Sequence, residues 1–152
     1  MALLLEMRAQ VFYSSVAGQA KDTKVQAVFA HMAEEEHAHA DFIKAHIASL
    51  EKDGTFADVD THSEAVEEVL DAKTRVEIIA AGYEAAAISA AIALEEKAVV
   101  FYTELEDRAS DPEERKFYNW LANWERKHMV QLQEIDKALR EEIWNDNNFW
   151  PY

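Results

Sequence analysis

The sequence predicts an all-α protein, an antiparallel four-helix bundle of two helical hairpins joined by one long crossover. Three observations predict it. The 152 residues hold three Gly, two Pro and 49% apolar side chains, with long stretches of Ala, Glu, Lys and Leu; that composition favours helix, and strand signals are close to absent. Core-facing positions recur at spacings of three and four in four segments, as expected of helices that bury one stripe. The chain also repeats itself at an offset of 89 residues, from Glu6 to Glu95 and from Glu36 to Glu125. Leu5-Glu6, Ala9 and Val11-Phe12-Tyr13 return as Leu94-Glu95, Ala98 and Val100-Phe101-Tyr102, and Glu36-His37-Ala38-His39 returns as Glu125-Arg126-Lys127-His128.

The first stripe reads Ala2, Glu6, Ala9, Tyr13, Val16, Ala20, and the second Val25, Phe29, Met32, Glu36, His39, Ile43, His46, Leu50. The third reads Ile88, Ala91, Glu95, Ala98, Tyr102, Leu105, Ala109, and the fourth Tyr118, Leu121, Glu125, His128, Leu132, Ile135, Leu139. Ionisable residues interrupt all four stripes at matching places.

Capping chemistry sets the boundaries. Asp111-Pro112-Glu113-Glu114 supplies an N-cap, a proline at the first helical position and a Glu three residues after the cap, which starts the fourth helix. Asp22 occupies the corresponding place in the first copy, so Lys21-Asp22 and Ser110-Asp111 mark tight turns between antiparallel helices. Lys52-Asp53-Gly54-Thr55 ends the second helix. The chain reads as a single domain over 1–152, with repeat halves at about 2–52 and 83–143, a crossover at about 53–82 and an aromatic tail at 144–152. A short helix from Ser63 to Lys73 is expected within the crossover, and the tail is expected to fold back over an open end of the bundle.

Thirty acidic against 15 basic residues leave a formal charge of −15. Such a surface repels nucleic acid and favours cations. No Cys is present, which removes disulfides, thiolate zinc sites and a four-Cys iron centre. Met1 to Glu6 reaches a charge too early for a signal peptide, and no apolar run is long enough for a bilayer span, so a cytoplasmic protein without membrane contact is expected.

Helix arithmetic brings the repeated ionisable residues together. Glu6 and Glu36 lie at equal chain distance on either side of the first turn, each about 22 Å from the bend at roughly 1.5 Å per residue. Glu95 and Glu125 are level across the second turn by the same count. Within Glu36-x-x-His39 the two side chains are about 60° apart on one face, close enough to bind one metal ion. Four carboxylates on core stripes would each cost several kcal/mol in desolvation if uncompensated. Two divalent cations match that charge, with His39 and His128 as neutral ligands. Candidate metal ligands are therefore Glu6, Glu36, His39, Glu95, Glu125 and His128. Carboxylate and imidazole suit iron or manganese, and zinc would also fit such a site.

A Glu from each of two helices and a Glu-x-x-His from each of the other two is the ligand pattern of ferritin-like dinuclear proteins. The sequence resembles the rubrerythrin branch of that superfamily. Glu95-Glu96-Lys97-Ala98-Val99-Val100-Phe101-Tyr102 and Ala33-Glu34-Glu35-Glu36-His37-Ala38-His39-Ala40-Asp41-Phe42 look like its two signature stretches. The resemblance implies a ferritin-like fold and a centre of two iron ions bridged by Glu36 and Glu125. Glu6 and Glu95 would be terminal ligands, with one His on each metal, and Tyr13 and Tyr102 would hydrogen-bond to carboxylates of the opposite half. The implied activity is oxidoreduction of peroxide or dioxygen, as a peroxidase or ferroxidase; an iron-binding or storage module and a metal-filled structural bundle are the alternatives. A separate electron-donor protein and a homodimer or larger homo-oligomer are the expected partners.

Two departures qualify the resemblance. This chain lacks the rubredoxin centre of full rubrerythrins, so its donor must be another molecule or absent. It also has Ala98, and Ala9 in the other copy, where rubrerythrins carry an additional Glu one turn after the first ligand of the second half. The symmetric six-residue set resembles a bacterioferritin-type centre and favours oxidase or ferroxidase chemistry. Glu34 and Glu35 read as a solvated run beside Glu36, His37 as surface, His31 as peripheral and His46 as a hydrogen-bonded histidine near the bundle end. Trp120 and Trp124 read as packing residues, and His62 falls in the crossover.

Overall fold

The computed structural model describes residues 1–21, 23–54 and 82–146. Four helices and no strand occur among the described residues: α1 (Ala2–Gln19), α2 (Thr23–Asp53), α3 (Gly82–Arg108) and α4 (Pro112–Asp146). This is the all-α four-helix arrangement the stripes predict. The expected Ser63–Lys73 helix and His62 lie outside the described residues. Helix α4 continues through Trp144 to Asp146, past the expected start of the tail, because no Gly or Pro interrupts the chain there. Residues 147–152 lie outside the description.

The ends follow the predicted chemistry. Asp111 Oδ1 accepts a hydrogen bond from the Glu113 backbone N–H at 2.8 Å, satisfying one of the free donors of the first turn of α4. At the end of α2, Gly54 adopts φ 68°, a left-handed conformation that other residues resist, and its N–H reaches the Leu50 carbonyl at 3.0 Å.

The core is divided. One apolar cluster packs Tyr13 and Val16 of α1 and Phe29 and Met32 of α2 against Ile88 of α3 and Leu132 and Ile135 of α4. A second packs Ile43 of α2, Tyr102 of α3 and Phe117 and Leu121 of α4, with Leu3 and Leu5 of α1 at its margin. Thus the start of α1 meets the end of α3, and the start of α2 meets the end of α4, so the hairpins face each other with antiparallel partners. In the fourth stripe Phe117 is the buried residue and Tyr118 is only half-buried. Between the apolar clusters lies a buried layer of ionisable side chains.

Candidate metal centre

All six predicted residues occupy that layer. Glu6, Glu36, Glu95, Glu125, His39 and His128 are each at most 3% exposed. One comes from α1, one from α3, and a Glu-x-x-His pair from each of α2 and α4, because each interrupts its helix's buried stripe at the same height.

Their ligand atoms form two overlapping groups. Glu6, Glu36, His39 and Glu125 bring one donor atom each within 4.8 Å of one another, and so do Glu36, Glu95, Glu125 and His128. Glu36 and Glu125 belong to both groups. His39 Nδ1 lies 3.2 Å from Glu6 Oε2, 3.5 Å from Glu36 Oε2 and 4.0 Å from Glu125 Oε1. His128 Nδ1 lies 3.1 Å from Glu36 Oε1, 3.6 Å from Glu95 Oε1 and 3.5 Å from Glu125 Oε2. The two imidazoles stack across the layer with centroids 5.8 Å apart.

The convergence suits cations better than hydrogen bonding. Both oxygens of Glu36, Oε1 of Glu125 and Nδ1 of His128 are buried and make no hydrogen bond of acceptable geometry, although several lie at ion-pair distance. Orphaned buried polar atoms are rare because each costs about 1–3 kcal/mol. Here they point at common centres, as lone pairs do when they share a metal. The donor set has no thiolate and fits hard or borderline divalent ions.

The metal-free electrostatics show the same strain. Burial, followed by repulsion from Glu36, holds the Glu125 carboxyl well above its ordinary range. Burial pushes Glu6 up to about 7, against the pull of His39. Glu36 goes the other way: burial opposes its charge, but His128 and His39 on either side overcome that and hold it well below the usual carboxylate range. Burial disfavours a charged His39, yet Glu36 and Glu6 raise it to about 9. In the metal-free layer, protons on these groups do the balancing that divalent ions would otherwise do.

Two tyrosines tie the halves together. Tyr13 of α1 donates its hydroxyl to Glu95 of α3, and Tyr102 of α3 donates to Glu6 of α1. Both hydroxyls are pushed well above their ordinary range, by burial and then by the carboxylates they meet, so they remain protonated donors. Ala9 and Ala98 are buried where a further carboxylate would stand.

The family model described as Rubrerythrin matches residues 1–136. The chain belongs to the rubrerythrin family. That places this rubrerythrin-family protein among ferritin-like di-iron carboxylate proteins, with buried carboxylate and histidine clusters that could hold a metal. No curated protein and no solved structure shows significant similarity to it. No helix among the described residues is long and apolar enough to cross a membrane.

The other histidines divide. His37 is exposed, with Asp41 at 3.5 Å, and His46 is buried, with Nδ1 3.2 Å from the Phe42 carbonyl and its ring stacked on Phe117. Glu35 is the correction. It is not part of a solvated run: its side chain is 11% exposed, and Oε2 lies 3.1 Å from His128 Nε2 on the side away from the other ligands. His31, read as peripheral, stands 3.5 Å from the other Glu35 oxygen. The positions matching His31 and Glu35 in the second half are Trp120 and Trp124. That pairing was the available signal, since two tryptophans are poor occupants of a solvated face.

Proposed function

We propose that this protein is a di-iron oxidoreductase that reduces peroxide or dioxygen, with Glu6, Glu36, His39, Glu95, Glu125 and His128 as its metal ligands. The observation that carries the proposal is the membership of Glu36 and Glu125 in both ligand groups, since two shared carboxylates between two histidines form a cradle for a pair of ions rather than one. When bound, two iron(II) ions would supply two electrons and end as iron(III), enough to cleave the O–O bond of peroxide to two waters or to reduce dioxygen to peroxide, with the protons taken from solvent.

The chain's own residues do the rest. Glu36 and Glu125 would hold the pair together, while Glu6 and Glu95 would each close one side. Tyr13 and Tyr102 fix those outer carboxylates by hydrogen bonds from the opposite half and limit their rotation. The apolar clusters above and below keep bulk water from the layer. Because the chain has no Cys, reducing equivalents would come from a separate donor protein or, in ferroxidase turnover, from incoming iron(II) itself. One chain supplies both halves of the centre, and a homodimer or larger homo-oligomer would not be needed to complete it.

The test is metal analysis of anaerobically purified protein, followed by mixing with peroxide or with dioxygen while near-ultraviolet absorption is recorded. The expected result is two irons per chain and a rapid absorption rise with at least one oxidant. Iron-loaded protein inert to both would overturn the enzymatic reading and leave a storage or structural role.

A further inference from the structure

The two halves repeat their ligands but not what stands behind the imidazoles. Behind His128, Glu35 Oε2 is 3.1 Å from Nε2, while Nδ1 faces Glu36, Glu95 and Glu125. Behind His39 the corresponding place holds Trp124, with ring centroids 5.3 Å apart, and Trp120 stands beside it at 5.6 Å. Among the described residues His39 meets carboxylates only through Nδ1. An indole has a donor N–H and no acceptor lone pair, so neither tryptophan can accept a proton from an imidazole N–H.

This difference acts directly on ligand strength. A carboxylate that accepts the remote N–H of a ligating histidine fixes the tautomer with its lone pair toward the metal, holds the ring plane and makes the imidazole more basic. Loss of such a partner typically costs about 10- to 100-fold in metal affinity. The tryptophans can hold the plane of His39 by packing, but they set neither its tautomer nor its basicity.

We propose that the two metal subsites are unequal and that Glu35 is the positioning residue that makes them so. The subsite of Glu36, Glu95, Glu125 and His128 binds tightly and fills first. The subsite of Glu6, Glu36, Glu125 and His39, backed by Trp120 and Trp124, binds more weakly and fills second. The inference rests on the reading of this layer as a two-metal centre. It adds a functional polarity that the ligand repeat does not contain. Stepwise filling alone does not establish it, because any first cation draws on the charge of Glu36 and Glu125 and weakens the second. What distinguishes it is which subsite fills first, and the dependence of that step on Glu35.

The experiment is titration of the full metal-free chain with cobalt(II), followed by calorimetry and visible absorption. Two steps are expected. Glu35→Gln should weaken the tight step about 10-fold or more and leave the weak step and the total of two ions unchanged. His39→Ala should keep the tight step, and His128→Ala should lose it. Trp124→Glu, which gives His39 an acceptor, should tighten the weak step. As a readout that folding alone does not move, the cobalt(II) protein should show a hyperfine-shifted His128 imidazole N–H in slow exchange with water, lost in Glu35→Ala, which leaves no acceptor there. If two cobalt ions bind and Glu35→Gln changes neither constant, or if His39→Ala removes the tight step, the asymmetry is wrong and the metal centre stands. A wild-type chain that takes up no cobalt overturns both.

Discussion

Tyr102 of α3 donates a hydrogen bond from its hydroxyl to Glu6 of α1, and the reciprocal bond runs from Tyr13 of α1 to Glu95 of α3. Each outer carboxylate of one hairpin is thereby held by a phenol of the other. The two bonds connect the hairpins through the buried layer rather than through apolar packing.

Tyr102→Phe deletes the donor and leaves a buried carboxylate without its partner. Hydrogen bonds to charged groups contribute about 1.5–3 kcal/mol. Thermal unfolding of the variant should shift down by several degrees, as expected for a chain of this size. Metal titration should show the subsite that contains Glu6 weakened more than the other; an equal loss at both would argue against local action.

Shared and unshared carboxylates should behave differently. Glu36→Ala removes a ligand from both groups and is expected to abolish binding of both ions, whereas Glu95→Ala touches one group and should leave one ion bound. Metal content per chain after anaerobic loading and desalting measures this. Two ions retained in Glu36→Ala would exclude a bridging role.

The metal-free protein should lose stability as pH rises. Glu6 is raised from 4.5 to about 7 and His39 from 6.5 to about 9. A raised group binds its proton more tightly when folded, so its contribution is present below the unfolded value and lost as pH climbs through the folded one. Together these two span about pH 4.5 to 9. Glu36, held low, works in the opposite sense: its contribution is present above about pH 4.5 and lost as pH falls further. The unfolding temperature of metal-free protein should therefore peak near pH 5 and decline toward pH 9. Saturating manganese(II) should flatten that decline, since the cation replaces the protons; a decline unchanged by metal would place its cause outside this layer.

Asp111 caps the helix that follows the second turn. Asp111→Ala removes the acceptor for the Glu113 N–H and should destabilise the fold by about 1 kcal/mol in chemical denaturation. Metal affinity should stay unchanged, because the turn lies far along the bundle from the ligand layer. A coupled loss of affinity would show that the turn sets the register of α3 against α4.

What the sequence determined by itself was everything that depends on helical period and chain distance. The buried stripes, the turn at Asp111, the helix end at Gly54 and the heights of Glu6, Glu36, Glu95 and Glu125 all follow from local geometry, and the internal repeat made each position visible twice. The resemblance to rubrerythrins already implied that Glu36 and Glu125 are shared; only the tertiary structure decided that His39 joins Glu6 in one group and His128 joins Glu95 in the other, because that depends on how two hairpins sit face to face. It also decided the role of Glu35. A Glu within a run of three looks solvated from its neighbours in sequence, yet its partner His128 lies on α4, 93 residues away. The repeat implied a symmetric centre; packing α2 against α4 set a carboxylate behind one imidazole and two indoles beside the other, and so gave it two different sides.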